Sequence, residues 1–379
     1  MADTPTGERG TVVSAVRVAH MSPEQVRDYL ADFHPDFASP KPVNGVDTYR
    51  VVYRTISARG RATTASGVVS LPSRKTKSPL RAVSFTHGTH AAKNIAGSVA
   101  GDGQSRVAAV YYAGAGYAGV APDYLGLGLG PGFHPYGHAA SEASASLDML
   151  RAARAVAESH GRRLRREVFV TGFSQGGQAA MALGRELQRG ADRYLRLGAL
   201  APVSGPYDVR RAQIPESFRP GTTLNAKTSV FYTAYLMVTW HRLYGLYDSP
   251  SEVFQAPYDG TVEKLFDGSG DFEEIGPHLP DSLDALLTPR FRQRLLHPSG
   301  TVLRAMRDMD GTCDWRPQVP TRLHGASGDE QVTYANTGSC VRALRERGAR
   351  PATADLKTDH FGTLFRGLPA TLRWFRSLS

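Results

Sequence analysis

The stretch Val168-Phe-Val-Thr-Gly-Phe-Ser-Gln-Gly-Gly-Gln-Ala-Ala-Met-Ala-Leu183 decides the reading of the fold. Up to Thr171 its residues are β-branched or aromatic, which suits a strand buried on both faces. From Gln178 onward, Ala, Leu and Met predict a helix to Leu187. Between them Gly172-Phe173-Ser174-Gln175-Gly176 is a G-x-S-x-G on a strand-to-helix turn, the context that gives this motif chemical meaning. Such a turn strains the serine backbone, and the residues two positions away must lack a Cβ, hence Gly172 and Gly176. The hydroxyl then stands above the sheet, with a helix N-terminus beneath the oxyanion that attack would create. The plainer alternative is a Gly-rich βα turn with an incidental serine.

The chain around this turn has 379 residues, 41% hydrophobic and 21% charged, ordinary for a large globular core. It holds no apolar run of about 18 residues, so no membrane span is expected. The net charge of +10 is spread along the sequence. Its densest cluster, Arg162-Arg163-Leu164-Arg165-Arg166, falls between a helix and a strand and reads as a solvated loop, not a nucleic-acid patch. Met1-Ala-Asp-Thr-Pro-Thr-Gly-Glu-Arg-Gly10 has no apolar core of a signal peptide. Cys313 and Cys340 are the only cysteines. A disulfide between them and two buried thiols both remain open; pairing would contribute about 3 kcal/mol and point to an oxidising compartment.

In chain order, Ser22-Pro23-Glu24-Gln25 caps a helix running towards Phe33. Residues 46–56 and 62–71 alternate like an antiparallel pair with one wet face, and Pro72 with residues 73–79 forms a turn. From residue 80 strands and helices alternate, as in a parallel sheet covered on both faces. Strands are expected at 81–86, 117–121, 168–171, 197–203, 319–324 and 352–357, with helices at 105–112, 139–158, 335–347 and 361–375. Residues 205–310 break the rhythm and are too long for a connection. The expected division is a core of 1–204 and 311–379 around an inserted, mainly helical lid of 205–310. Within the insert, residues 230–247 are the most aromatic stretch of the chain and apolar on nearly every helical face. They suit an inserted core, the lining of an acyl or aromatic pocket, or both.

A serine nucleophile needs a base, and the base an orienting carboxylate. On a sheet of this kind they follow the serine in the order acid, then histidine. Asp329 and His360 each lie just after an expected strand, where such sheets place their sites. Glu330 adjoins Asp329 but should point away, to the surface or a helix start. Asp310 and Asp314 precede their strand, and Asp359 competes with His360 for one turn. The oxyanion donors are expected to be the N–H groups of Gln175 and of Thr89 in the loop His87-Gly88-Thr89. His87 reads as structural. His90, His134 and His138 could line the mouth, and their spacing matches no common metal site. Substrate contacts are expected from His90, Phe173, Phe231, Tyr235 and Trp240. Gly126-Leu-Gly-Leu-Gly130 lacks the dinucleotide spacing, and Asp123 beside it reads as a loop cap.

With these residues in place the chain resembles the α/β-hydrolases, and within them the secretory lipases of fungi and their bacterial relatives. The likeness is carried by Ser84-Phe-Thr-His-Gly-Thr89, Gly116-Tyr-Ala-Gly-Val-Ala-Pro-Asp-Tyr-Leu-Gly-Leu-Gly128 and His134-Pro-Tyr-Gly-His-Ala-Ala-Ser-Glu-Ala143 with Asp148. Gly172 to Gly177 and the residues His324, Gly325, Asp329, Val332 and Tyr334 complete it. It is weakest across the insertion, and Thr333 stands where proline is usual. The resemblance implies an ester hydrolase with Ser174, Asp329 and His360 as triad and a lid, and since such proteins are commonly exported it points to secretion, with a cytoplasmic location left open. No cofactor and no metal are expected.

The leading expectation is therefore a carboxylic ester hydrolase acting through an acyl-enzyme on a small-molecule ester in an apolar, lid-covered pocket, with contact to a lipid interface allowed. No nucleic-acid partner is expected, and the oligomeric state is left open. An acyltransferase or lactone-forming enzyme would keep the triad but needs a lid that excludes water. An amidase, peptidase or β-lactam hydrolase uses the same residues. A binding module on a dead scaffold is least in keeping with an intact set.

Overall fold

The computed structural model describes residues 9–74, 76 and 78–378. Nine strands among them form one sheet: β1 (Val12–Met21), β2 (Val46–Ile56), β3 (Ala62–Pro72), β4 (Leu80–Thr86), β5 (Ala118–Pro122), β6 (Leu164–Phe173), β7 (Arg196–Val203), β8 (Arg322–Gly325) and β9 (Ala352–Asp355). Their order is β1-β2-β3-β5-β4-β6-β7-β8-β9. The first three strands are antiparallel, β3 meets β5 antiparallel, and every pair beyond is parallel. The helices include α1 (Pro23–Phe33), α2 (Gln104–Gly114), α3 (Ala139–Ser159), α4 (Gln175–Gln188), α5 (Ala226–Tyr244), α6 (Ala335–Glu346) and α7 (His360–Ser377).

Side-chain alternation along β6 shows how the layers assemble. Val168 and Val170 pack with Leu150 of α3 and Met181 of α4, whereas Phe169 packs with Val110 of α2 and Phe375 of α7. Both faces of the parallel region are covered, so its strands read as continuous apolar runs. The same holds for β3: from Ala65 on it is buried on both faces, where one wet face was expected. Val69 faces the α3 side and Val68 the α2 side.

Three further features differ from the sequence expectation. β1 carries no strand prediction; it is an edge strand whose side chains are mostly exposed, so its alternation is weak. The arginine cluster is solvated at Arg163, Arg165 and Arg166 but is not a loop throughout: β6 begins at Leu164, and Arg162 is 5% exposed with its Nη1 donating to Pro72 O at 2.8 Å. Arg165 and Arg166 likewise donate to the carbonyls of Pro79 and Tyr194. β8 is reduced to four residues, since Pro320 interrupts the ladder and leaves a single bridge from Thr321 to Leu200. The turn at 73–79 lies where expected, with Lys75 and Lys77 outside the described residues.

Between β7 and β8 the chain leaves the sheet. This segment is helical, with α5 and the helices Pro289–Leu296 and Gly300–Asp310 around a core that includes Val230, Phe231, Met237, Trp240, Phe254 and Met306. α5 is apolar all round because it is enclosed on nearly every side. Just beyond, Cys313 and Cys340 are disulfide-bonded, tying the chain ahead of β8 to α6. Closing a loop of this length contributes about 3.5 kcal/mol by chain entropy. Among the described residues no helix is long and apolar enough to cross a membrane.

Candidate active site

β6 ends at Phe173 and α4 starts at Gln175, so Ser174 alone makes the turn. Its φ of 55° and ψ of −123° lie where L-residues are strained by about 1–3 kcal/mol. Two backbone bonds hold it there: Ser174 N–H donates to Val203 O at 2.9 Å, and Gly177 N–H to Ser174 O at 2.7 Å. A Cβ on Gly176 would lie 1.9 Å from Thr86 O, and one on Gly172 would lie 2.0 Å from Thr86 Oγ1. That same Thr86 hydroxyl donates to Gly176 O at 2.6 Å, with Thr171 O a second acceptor at 3.1 Å, pinning the turn to β4.

The loops after β8 and β9 bring the other two groups. His360 Nε2 lies 3.0 Å from Ser174 Oγ, and its Nδ1 lies 2.8 and 3.0 Å from the Asp329 carboxylate oxygens. Asp329 is acceptor-only as a carboxylate, so Nδ1 carries the proton and Nε2 is free to accept one from Ser174. Asp329 Oδ1 also accepts the N–H groups of Gln331 and Val332 at 3.0 and 2.8 Å, which fixes the carboxylate without help from a proline at Thr333. All three side chains are buried.

The rejected acids have other tasks. Glu330 does not point to the surface; its Oε2 accepts the backbone N–H of His360 at 3.0 Å and so holds the histidine loop. Asp359 caps α7 through Gly362 N–H. Asp310 accepts the N–H groups of Val209 and Arg210, and burial raises its carboxyl to about 7. Arg347 pairs with Asp314 on the surface. Asp123 accepts from Ser66 Oγ at 2.6 Å and Ser98 N at 3.2 Å, organising the glycine loop as expected of a cap.

Thr89 and Gln175 flank the serine. Their N–H groups make no hydrogen bond with the described residues outside α4, leaving both open to an incoming oxygen. Behind Gln175 lies a buried network whose residues stand in the stretches that carry the resemblance, but whose contacts no local pattern announces. Its Nε2 donates to Glu142 Oε1 at 2.7 Å and to His134 Nε2 at 2.8 Å. His134 Nδ1 in turn donates to Leu125 O at 2.9 Å, which sets its tautomer. Burial holds His134 neutral, its pKa pushed down to about 3, and raises the Glu142 carboxyl to about 7. His134 therefore sits behind the Ser174–Gln175 turn and not at the mouth, and His138 is the cap residue ahead of α3. His87 is structural: burial keeps it and the adjacent His90 neutral, so of the Gly88 and Asp123 carbonyls beside its two ring nitrogens it can donate to one, Gly88 O at 2.6 Å being the nearer.

Two cavities meet at Ser174. The larger, about 450 Å³, is walled by His90, Phe173, Phe231, Tyr232, His360 and Phe361 among others. The smaller, about 40 Å³, has Gln175, Val209, Ile214, Leu236 and Met309 in its wall. Thr89, Ser174, Tyr232 and Gln331 border both. Of the expected contacts, Tyr235 and Trp240 line neither cavity. Tyr235 is stacked between Tyr136 and Phe266, with its hydroxyl on His90 O, and Trp240 is enclosed in the insert's core. Only the first two turns of α5, at Thr228, Phe231 and Tyr232, reach the larger cavity before the helix passes on. Tyr232 adjoined an expected contact and could have been found. Phe272 lies in a four-residue helix too short to show a period.

No family profile and no curated protein matches the chain. Solved structures do. A Legionella pneumophila protein named only provisionally as a hydrolase is 25% identical over 97% of this chain and 98% of its own, with a TM-score of 0.88. The rice cell wall degrading esterase LipA of Xanthomonas oryzae is 28% identical over 97% and 98%, with a TM-score of 0.85. Candida antarctica lipase A, 14% identical over 93% and 78% with a TM-score of 0.67, shares the fold. The chain has the α/β-hydrolase fold, a mostly parallel sheet with helices on both faces, and resembles the secretory lipases.

Proposed function

We propose that this chain is a serine carboxylic ester hydrolase. The observation that carries the reading is the hydrogen-bonded series Ser174 Oγ, His360 Nε2, His360 Nδ1 and Asp329, set at a strained turn. The esterase name of the Xanthomonas neighbour supports it. Ser174 Oγ attacks the ester carbon as His360 Nε2 takes its proton, and Gln175 and Thr89 N–H groups receive the oxyanion. The C–O bond to the alcohol breaks, His360 returns the proton to the leaving oxygen, and water then repeats the sequence on the acyl-enzyme. Asp329 holds the imidazole and offsets its positive charge. Residues 205–310 serve as the lid over a core of 1–204 and 311–379. The exposed Glu273 and Phe361 at the rim of the larger cavity leave water access, which favours hydrolysis over acyl transfer. The disulfide suits an exported enzyme.

The test is burst acylation by p-nitrophenyl acetate together with labelling by a fluorophosphonate. Ser174→Ala abolishes both, and His360→Ala and Asp329→Asn each lower acylation at least about 10³-fold. A wild-type burst in any variant removes that residue from the mechanism.

A further inference from the structure

The two cavities at Ser174 differ about tenfold in volume, and they differ in whether the histidine reaches them. His360 lines the larger and not the smaller. Gln175 lines the smaller and not the larger. Resting on the ester-hydrolase reading above, we infer that the small chamber holds the acyl group and the large one the alcohol, so that the enzyme takes esters of short acids, two to four carbons long, with bulky alcohols.

The assignment follows from where the proton must go. A general acid works only within about 3 Å of the oxygen it protonates. The leaving oxygen therefore lies beside His360 Nε2, and the alcohol attached to it extends into the cavity that His360 borders. The acyl substituent projects on the other side of the tetrahedral carbon, past Thr89 and Gln175, into the chamber of about 40 Å³. An apolar cavity of about 150 Å³ admits a benzene ring. A chamber of about 40 Å³ is therefore limited to a short aliphatic chain, which bounds the acid at about butyryl. Its wall does not yield readily, because Val209, Ile214, Leu236 and Met309 belong to the packed core of the insert. The larger cavity, about 450 Å³ with Phe173, Phe231, Phe272 and Phe361 around it, takes ring-sized alcohols.

Two side chains set the acyl length. Leu236 fills one part of the chamber wall, and Ser229 contributes a buried hydroxyl with no hydrogen-bond partner among the described residues. Replacing that hydroxyl by a methyl-bearing side chain fills the space at no loss of a hydrogen bond.

The experiment measures kcat/KM of the full chain on two series. With p-nitrophenol as the common alcohol, acetyl to butyryl esters are good substrates and the octanoyl ester is at least about 100-fold poorer than butyryl, since single methylenes are worth about 10–200-fold in a fitted pocket. With acetyl as the common acid, phenyl and 2-naphthyl esters, whose alcohols are similarly acidic, differ less than about 10-fold. Ser229→Val lowers the butyryl-to-acetyl ratio about 10-fold, and Leu236→Ala raises the hexanoyl-to-acetyl ratio by a similar factor. If Leu236→Ala does not fold, the wild-type series and Ser229→Val still decide the matter. An octanoyl ester as good as butyryl, or a collapse of rate on passing from phenyl to naphthyl acetate, overturns the assignment. Absence of turnover on every ester with no phosphonate label at Ser174 instead refutes the ester-hydrolase reading itself.

Discussion

Glu142 offers a test of the site that does not depend on knowing the substrate. Its carboxyl is buried at the start of α3, with Oε1 accepting from Gln175 Nε2 and Oε2 unpartnered among the described residues. Burial raises its pKa from 4.5 to about 7. Between these values the unfolded chain releases a proton that the folded chain keeps. The folded state then binds more protons, so stability falls as pH rises from 4.5 to 7 and stays lowered above. Keeping the proton over that range corresponds to about 3 kcal/mol. Glu142→Gln keeps the acceptor for Gln175 and cannot ionise. At pH 4.5 it should match the wild type within about 1 kcal/mol, and at pH 8 it should be more stable by about 3 kcal/mol. Urea denaturation of both proteins at several pH values reads this directly. Taking the difference between them removes Asp310 and Asp271, whose raised carboxyls slope the same way. Parallel stability curves from pH 4.5 to 8 would refute the reasoning, because a Glu142 that ionises freely cannot be enclosed behind the turn.

Two backbone predictions and one loop prediction follow from the same geometry. Gly176→Ala places a Cβ 1.9 Å from Thr86 O, so it should cost at least about 3 kcal/mol and abolish activity. Gly338→Ala, at the fourth residue of α6 with open space around it, should instead raise stability by about 0.5–1 kcal/mol; thermal melting compares the two. Glu330→Ala leaves the His360 N–H without its acceptor and should lower kcat about 10-fold at unchanged KM, with Glu330→Gln restoring most of the rate.

Most of the sheet was legible because its strands are buried on both faces and separated by long helices. What escaped has common physical causes. The alternation of β1 is faint because an edge strand needs few apolar residues to hold its place. Among the arginines at 162–166, Arg162 alone departs from the solvated expectation drawn from their place between a helix and a strand. Carbonyls at strand ends need donors, and a guanidinium on a long stem reaches Pro72 O from a buried position.

At the site, what could be read depended on whether a residue's task is fixed by its own neighbours in the chain. Ser174 lies in a turn whose glycines are required by Thr86 contacts only a few ångströms away, and strand ends limit where Asp329 and His360 can stand. Glu330 was misread since its partner is a backbone N–H thirty residues on, a contact that no local pattern announces. The substrate contacts were harder still. Tyr235 and Trp240 share the aromatic character of Phe231, and the three differ only in where α5 passes the cavity. The small chamber is assembled from Gln175, Val209, Leu236, Met309 and Val332, which lie in separate parts of the sequence. Reaction type is thus written in short motifs, while the size of the acid depends on how a separately packed insert meets the serine. A change at one core position of that insert, as in Leu236→Ala, is therefore expected to change the acid accepted while leaving Ser174 and His360 in place.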